Sequence, residues 1–332
     1  MRTTSSVSNL FITISNTIGP ETFSKSASTP ALDLLFSRGY RTPTSYTSIL
    51  DYSLKKLTEH QSNDVSVSAL LARVDPEMFA CPYYLCCELV EYTAGMNDVY
   101  AQRLNSFNSV SAQSERYSEL LCEVFEKPII RHVSTWPSLF ILGLQDDPKI
   151  RTTSTNDAER RPMSDVLPKG PGSRFWISKM NEAQMVFHQN NEKLHDLEMS
   201  RRPNGVWLWG EGSRSTLINS PLTVSAQSPE LLTLSHAAKA TLTSHEHLFS
   251  TPLPKHDVLI ELQLSQDPNS LIQANVLASR AITLLRTGRY SELNIQMMKN
   301  SVLYNTKCTK YSLRKFWKKT INTVDWLTDT ND

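Results

Sequence analysis

Charge of one sign is what this sequence most plainly lacks: 34 lysines and arginines face 33 aspartates and glutamates, a net charge of +1 over 332 residues. The whole molecule therefore carries no field that would draw it to nucleic acid or to an anionic membrane. Long apolar runs are missing too; none approaches the ~20 residues that a membrane-spanning helix needs. Cysteine is sparse: Cys81, Cys86, Cys87, Cys122 and Cys308 are odd in number, two of them adjacent. No C-x-x-C spacing occurs, so neither a disulfide framework nor the usual structural zinc pattern is expected, and buried thiols are. Met1–Pro20 holds a single Arg, a broken apolar stretch and no A-x-A-like cleavage site. It does not read as a signal peptide, and the cytoplasm is the expected compartment.

Reactive signatures are also absent. There is no G-x-S-x-G elbow, no recognisable Cys-His pattern, no phosphate loop of the G-K-[ST] type and no internal repeat. What remains is a composition with 39% hydrophobic and 20% charged residues, which fits a globular chain and argues against wholesale disorder.

The pattern along the chain is that of an α/β protein. Leu10–Ser15 alternates as a strand, and Asn16–Pro20 turns. Thr29-Pro30 opens a helix with Leu32, Leu35 and Phe36 on its apolar face and Gly39 at its end. Residues 45–60 and 64–74 read as helical, Tyr83–Val90 as a short buried strand, and Asn97–Phe125 as a helical region. Ile129–Leu144 reads as two strands around Ser134-Thr135. Residues 145–174 are punctuated by Pro and Gly, as in a functional loop or a boundary.

A helix follows over Ser173 to about Met199, burying Trp176, Met180, Ala183 and Phe187 and offering Asn181, Gln184 and His188 beside Glu182. Val206–Trp209 is a strand that Gly210-Glu211-Gly212 releases. Leu217–Val224 and Val258–Leu264 are further strands, Asn269–Arg286 a helix closed by Gly288, and Leu293–Met298 an edge strand. These elements predict either one α/β domain over 8–322, or two halves, 8–145 and 173–322, joined by a loop over 146–172; 323–332 is a tail.

Asn204 to Gly212 is the most distinctive segment. A strand ending in Gly-x-Gly brings backbone N–H groups close to an anionic ligand, and ligands of open α/β sheets sit beyond strand ends. The plainer alternative makes Trp207 and Trp209 core anchors and the glycines a turn. Ser244-His245-Glu246-His247 pairs two imidazoles but lacks the further ligands a metal needs, and reads as a surface loop. Lys307, Lys310, Arg314, Lys315, Lys318 and Lys319 surround Phe316-Trp317; a terminal amphipathic helix docked through Leu313, Phe316 and Trp317 explains them, and a partner-binding patch is the alternative.

Several of these pieces together resemble a known family. Arg174-Phe175-Trp176, Asn181–Met185 and His188, followed by Asn204–Gly212, are similar to the RpfE-type regulatory proteins, an uncharacterised bacterial family often labelled cofactor-independent phosphoglycerate mutase. Thr29–Leu35, Arg38-Gly39, Val74-Asp75-Pro76, Arg151-Thr152-Thr153, Leu285–Arg289 and Phe316–Lys319 agree in order. The resemblance implies a central, mostly parallel sheet flanked by helices, distantly like alkaline phosphatase and phosphoglycerate mutase. Active members of that group hold two divalent metals, with an Asp at the end of the first strand. Here Ser15-Asn16-Thr17 puts a neutral amide there, Asp267 has no His close behind it, and His256-Asp257 runs in the reverse order.

The expectation is therefore a regulatory or ligand-binding protein without catalysis and without a cofactor. Its partner would be a small anionic ligand or another protein, with no strong nucleic-acid signal and no membrane. Glu182, His188, Asn204, Trp207, Trp209, Gly210 and Gly212 are the candidate ligand contacts. The alternative is a metal-dependent phosphoglycerate mutase or related phosphohydrolase using manganese or zinc; a protein-interaction module built on the basic C-terminal segment is a third.

Overall fold

The computed structural model describes residues 8–16, 28–59, 65–104, 113–126, 129–159, 161–191, 202–214, 219–250, 256–264, 268–299, 302–315 and 317–328. Strands in chain order are β1 (Asn9–Asn16), β2 (Tyr40–Pro43), β3 (Tyr83–Ala94), β4 (Val99–Arg103), β5 (Ile129–His132) and β6 (Leu139–Leu144). They continue as β7 (Gly205–Ser213), β8 (Thr223–Ser225), β9 (Thr241–Leu242), β10 (Val258–Leu264), β11 (Glu292–Lys299) and β12 (Val302–Thr309). The chain folds as two compact units, one made of Met1–Leu57 and Asn219–Asp332, the other of Thr58–Ile218. Both joins lie away from the expected linker, and 146–172 falls inside the second unit.

The first unit is built on a mixed α/β sheet in the order β2-β12-β11-β1-β10-β8-β9. Its centre is parallel: β1 pairs with β10 and β11, and β8 pairs with β10 and β9. A parallel strand is covered on both faces and so reads as a near-continuous apolar run, as Val258-Leu259-Ile260 does. Leu10, Ile12 and Ile14 of β1 share one core with Leu32, Leu35 and Phe36 of the Pro30–Arg38 helix and Leu277, Ala281 and Leu285 of the Pro268–Arg286 helix. Gly288, at φ +73°, lets the chain leave that second helix, as its position suggested.

Two expectations change here. Leu293–Met298 is not at the edge: β11 lies between β1 and an antiparallel β12, and β2 forms the border. The basic C-terminal segment contains β12 and a 3-10 turn over Ser312–Arg314 in place of an amphipathic helix. Lys307 and Lys310 obscured the strand, yet Leu303, Thr306 and Cys308 turn their side chains inward.

The second unit holds an antiparallel sheet in the order β4-β3-β6-β5, with β7 also paired to β3. The expected parallel architecture therefore describes only the first unit. Residues 97–125 divide into β4 and a helix over Ser114–Val124. Gly95-Met96-Asn97-Asp98 closes a hairpin between β3 and β4, with the Gly95 amide donating to the Asp98 carbonyl. Leu85, Cys86, Cys87, Leu89 and Val90 of β3 are fully buried.

Thr17–Pro20, the helix beyond Asn191, Leu217-Ile218, Ser265–Asp267, Phe316 and the last four residues of the tail lie outside the described residues. No helix among those described is long and apolar enough to cross a membrane.

Candidate functional site

Trp207 and Trp209 stand two apart on β7 and so share a face of the strand. Opposite Trp207 on β3 is Glu88, completely buried. A carboxylate removed from water must be met by donors or a counter-charge, or its burial costs several kcal/mol. Here the surroundings supply both. Glu88 Oε1 accepts from Trp136 Nε1 at 3.3 Å and Ser138 Oγ at 3.2 Å, with Arg103 Nε at 3.5 Å. Oε2 accepts from Trp209 Nε1 at 3.1 Å and from the Thr155 hydroxyl. These partners come from β7, from the end of β4, from the turn between β5 and β6, and from the start of the Thr155–Ala158 helix. One acidic side chain thus joins segments far apart in sequence.

The Pro- and Gly-punctuated stretch is pinned by the same strand. Arg151 and Lys169 exchange backbone hydrogen bonds of 2.7 and 2.9 Å, closing the stretch on itself. Trp207 Nε1 donates to the Thr153 carbonyl at 2.8 Å, and the Gly210 amide donates to Thr152 Oγ1 at 3.0 Å. The Thr152 amide and hydroxyl both donate to the Glu211 carboxylate. Arg151-Thr152-Thr153 and Trp-Leu-Trp-Gly-Glu-Gly are the two halves of one clasp. The expected long loop is accordingly short helices and anchored backbone, with one-turn helices over Thr155–Ala158 and Met163–Val166.

β7 does not end at Gly210; it runs to Ser213. Gly210 adopts φ +63° where the β3–β7 register shifts, a conformation that favours glycine. A Cβ on Gly212 would lie 1.9 Å from Ser66 Oγ, so the close approach its missing side chain permits is that of Ser66, the N-cap of the Val67–Ala72 helix. Asn204 clamps the Tyr92 backbone, accepting its amide at 2.6 Å and donating to its carbonyl at 3.0 Å. The polar groups of Asn204, Trp207, Trp209 and Gly210 are therefore engaged by the chain itself.

The helix Ser173–Asn191 packs on β7 and buries the predicted stripe of Trp176, Met180, Ala183 and Phe187. Asn181, Glu182, Gln184 and His188 are exposed, with Glu182 held to Lys179 at 3.1 Å. β7, the 146–172 stretch and this helix thus pack together, Trp176 Nε1 donating to the Pro148 carbonyl at 3.1 Å. An open depression of about 540 Å³ lies between the β3–β4 turn and Met163, Ser164 and Leu167.

A second constellation, not singled out from sequence, sits where the carboxyl end of β8 meets the middle of β10 in the first unit. Glu261 of β10 is buried, and its carboxylate accepts from the Gln227 amide at 3.0 Å, the Ser228 amide at 2.8 Å and the Ser228 hydroxyl at 2.7 Å. Ser228 caps the Pro229–Ala237 helix. Burial pushes the Glu261 carboxyl up, against the pull of these hydrogen bonds. His245 opens a short helix, His245–Ser250, so its spacing to His247 no longer puts both rings on one side. Its Nε2 lies 2.7 Å from the Glu261 carbonyl, which can only accept, so Nε2 carries the proton. Nδ1 then accepts from the Ser225 hydroxyl at 2.8 Å. Burial holds this imidazole below its ordinary pKa. Glu88 and Glu261 did leave a trace in the sequence, each an acid flanked on both sides by apolar residues of its strand.

Among the described residues the donors offer no site for the pair of divalent cations that the mutase resemblance implies. No three His, Cys, Asp or Glu side chains converge among the described residues, and the Glu261 carboxylate is occupied by the Gln227 and Ser228 amides and the Ser228 hydroxyl.

Comparison with known proteins adds little beyond outline. No family model matches the chain, and no curated protein matches it, so the RpfE-type resemblance has no support from either. Among solved structures, a cofactor-independent phosphoglycerate mutase from Thermoplasma acidophilum DSM 1728 aligns over 98% of this chain and 96% of its own, at 12% identity and a TM-score of 0.41. The PH0037 protein from Pyrococcus horikoshii aligns over 91% and 87%, at 8% identity and a TM-score of 0.45.

Replacing Glu88 by Gln turns an acceptor-only group into one that presents two N–H donors to a ring of donors. We expect Glu88→Gln to cost about 3 kcal/mol, read as a lower urea midpoint. An unchanged midpoint would show that the cluster holds nothing together. For His245, the folded pKa lies below the unfolded one, so the unfolded chain takes up the proton first and stability falls as pH drops through about 6.5. Glu261, with its raised value, acts oppositely, losing its contribution as pH climbs above the ordinary carboxyl range. In urea titrations from about pH 7.5 to about pH 5.5 the parent protein should lose more stability than His245→Gln; equal losses would place a charged imidazole in the folded state.

Proposed function

We propose that this chain is a non-catalytic regulatory or ligand-binding protein whose outline resembles the phosphoglycerate mutase group. The observation that carries the reading is the state of the reactive-type groups where the carboxyl end of β8 meets the middle of β10. Ser225 is fully buried, both ring nitrogens of His245 are engaged, and the Glu261 carboxylate is occupied by the Gln227 and Ser228 amides. A nucleophile needs access to its substrate, and a carboxylate that binds metal needs free lone pairs. Here the same groups hold the polypeptide together. The neutral amide at Asn16, where the resemblance asks for a carboxylate, points the same way.

In this reading Asn204, Trp207, Trp209, Gly210 and Gly212 form the frame, and the ligand or partner contact falls to the exposed row that includes Glu182 and His188 on the helix packed against it. A small anion or a protein surface would meet that row, with no cofactor and no metal required.

The test is elemental analysis of protein purified without chelators, alongside an assay for phosphate transfer between 2- and 3-phosphoglycerate. We expect manganese and zinc well below one per chain and no transfer. Near-stoichiometric metal together with turnover would establish the metal-dependent mutase instead.

A further inference from the structure

The balanced charge of the whole chain conceals a local imbalance. Between Glu292 and Asp325 the sequence contains no acidic residue and seven lysines and arginines. Apart from Lys299, which is buried at the end of β11, they lie on β12 or in the segment after it, beside the border strand β2. Lys307 of β12 stands opposite Tyr40 of the border strand β2. Past β12, Arg38 donates to the Leu313 carbonyl, and Lys318 Nζ reaches the Gly39 carbonyl at 3.3 Å. These contacts hold the segment around Ser312–Lys318 beside Gly39-Tyr40. Lys307 is neutralised by Glu292. Among the described residues Lys310, Arg314, Lys315 and Lys319 have no acidic partner.

The same border exposes aromatic rings. Leu313 is buried, whereas Trp317 is 69% exposed, with Tyr311 at 74% and Tyr40 at 67%. Burial would have removed each large ring from water, so three rings with this much exposed area near one border offer flat apolar faces to a ligand. Arg314 lies 5.8 Å from the centre of the Tyr311 ring, pairing a cation with a flat face.

We propose that this border binds single-stranded nucleic acid. Cations without acidic partners would meet the phosphates, and Tyr40, Tyr311 and Trp317 would stack on unpaired bases. A duplex hides its base faces and would use the cations alone. An anionic bilayer would call for exposed aliphatic side chains, and among the described residues of 302–319 only Val302 offers one.

The test uses the full chain and a fluorescein-labelled uridine oligonucleotide of about twelve residues, followed by anisotropy at rising salt. With four phosphate contacts, log K should fall against log salt with a slope of about −3. The variant Lys310→Gln/Arg314→Gln/Lys315→Gln/Lys319→Gln should flatten that slope, and Tyr311→Ala/Trp317→Ala should weaken binding by about tenfold or more. All the substituted side chains are exposed except the half-buried Lys315, and thermal melting by circular dichroism checks that both variants fold. No anisotropy change at low salt, an unaltered affinity in the ring variant, equal binding of a duplex of the same length, or stronger binding to phosphatidylserine vesicles would each overturn the proposal.

Discussion

The carboxylate of Glu88 sits in the middle of β3 with no water to solvate it, and everything around it in the second unit is arranged to meet that requirement. Two indole N–H groups, two hydroxyls and a guanidinium converge on its two oxygens. A hydrophobic core accepts many packings of similar energy. A buried charge accepts few, because each missing donor leaves an unmet electrostatic cost. This makes Glu88 the point at which β3, β7 and the segments carrying Arg103, Trp136, Ser138 and Thr155 are held in one register. The clasp between Thr152-Thr153 and Trp207–Glu211 extends that bonding outward along β7.

The first unit repeats the theme with a different outcome. Glu261 lies in an apolar parallel strand, yet its oxygens serve the helix that follows β8. Backbone N–H groups at a helix start favour a negative charge, which offsets part of the cost of burying it. His245 then ties the short helix over His245–Ser250 to the β10 backbone and to Ser225. A serine, a histidine and a glutamate so placed invite a catalytic interpretation by residue type. Ser225 is fully buried, and the hydrogen bonds of His245 and Glu261 are taken up within the fold, so the proposed function rests on recognition.

Legibility of the sequence followed the range of the forces involved. β1, β10 and the helices beginning at Pro30 and Ser173 were readable because periodicity, caps and apolar stripes are local properties. The buried stripe Trp176, Met180, Ala183 and Phe187 is a direct case. Pairing was not readable: nothing in Val206–Trp209 tells that it runs antiparallel to β3, or that Leu293–Met298 is covered by β12. Gly210-Glu211-Gly212 signalled a special backbone correctly, but the cause is a register shift and the approach of Ser66, neither visible without the fold. Glu88 and Glu261 were discernible only as interruptions in apolar runs; their partners lie tens of residues away. Trp317 was expected inside with Leu313 and stands outside, since a hydrophobic residue next to lysines carries no local mark of its orientation.

The most direct measurement of the account is hydrogen exchange at the indole nitrogens, followed by NMR of the folded protein. The Nε1–H groups of Trp136 and Trp209 should exchange only on opening of the second unit, far more slowly than the indole of exposed Trp317 in the same sample. Exchange of Trp136 and Trp209 at the rate of Trp317 would mean that no closed cluster surrounds Glu88, and the account built on it would fall.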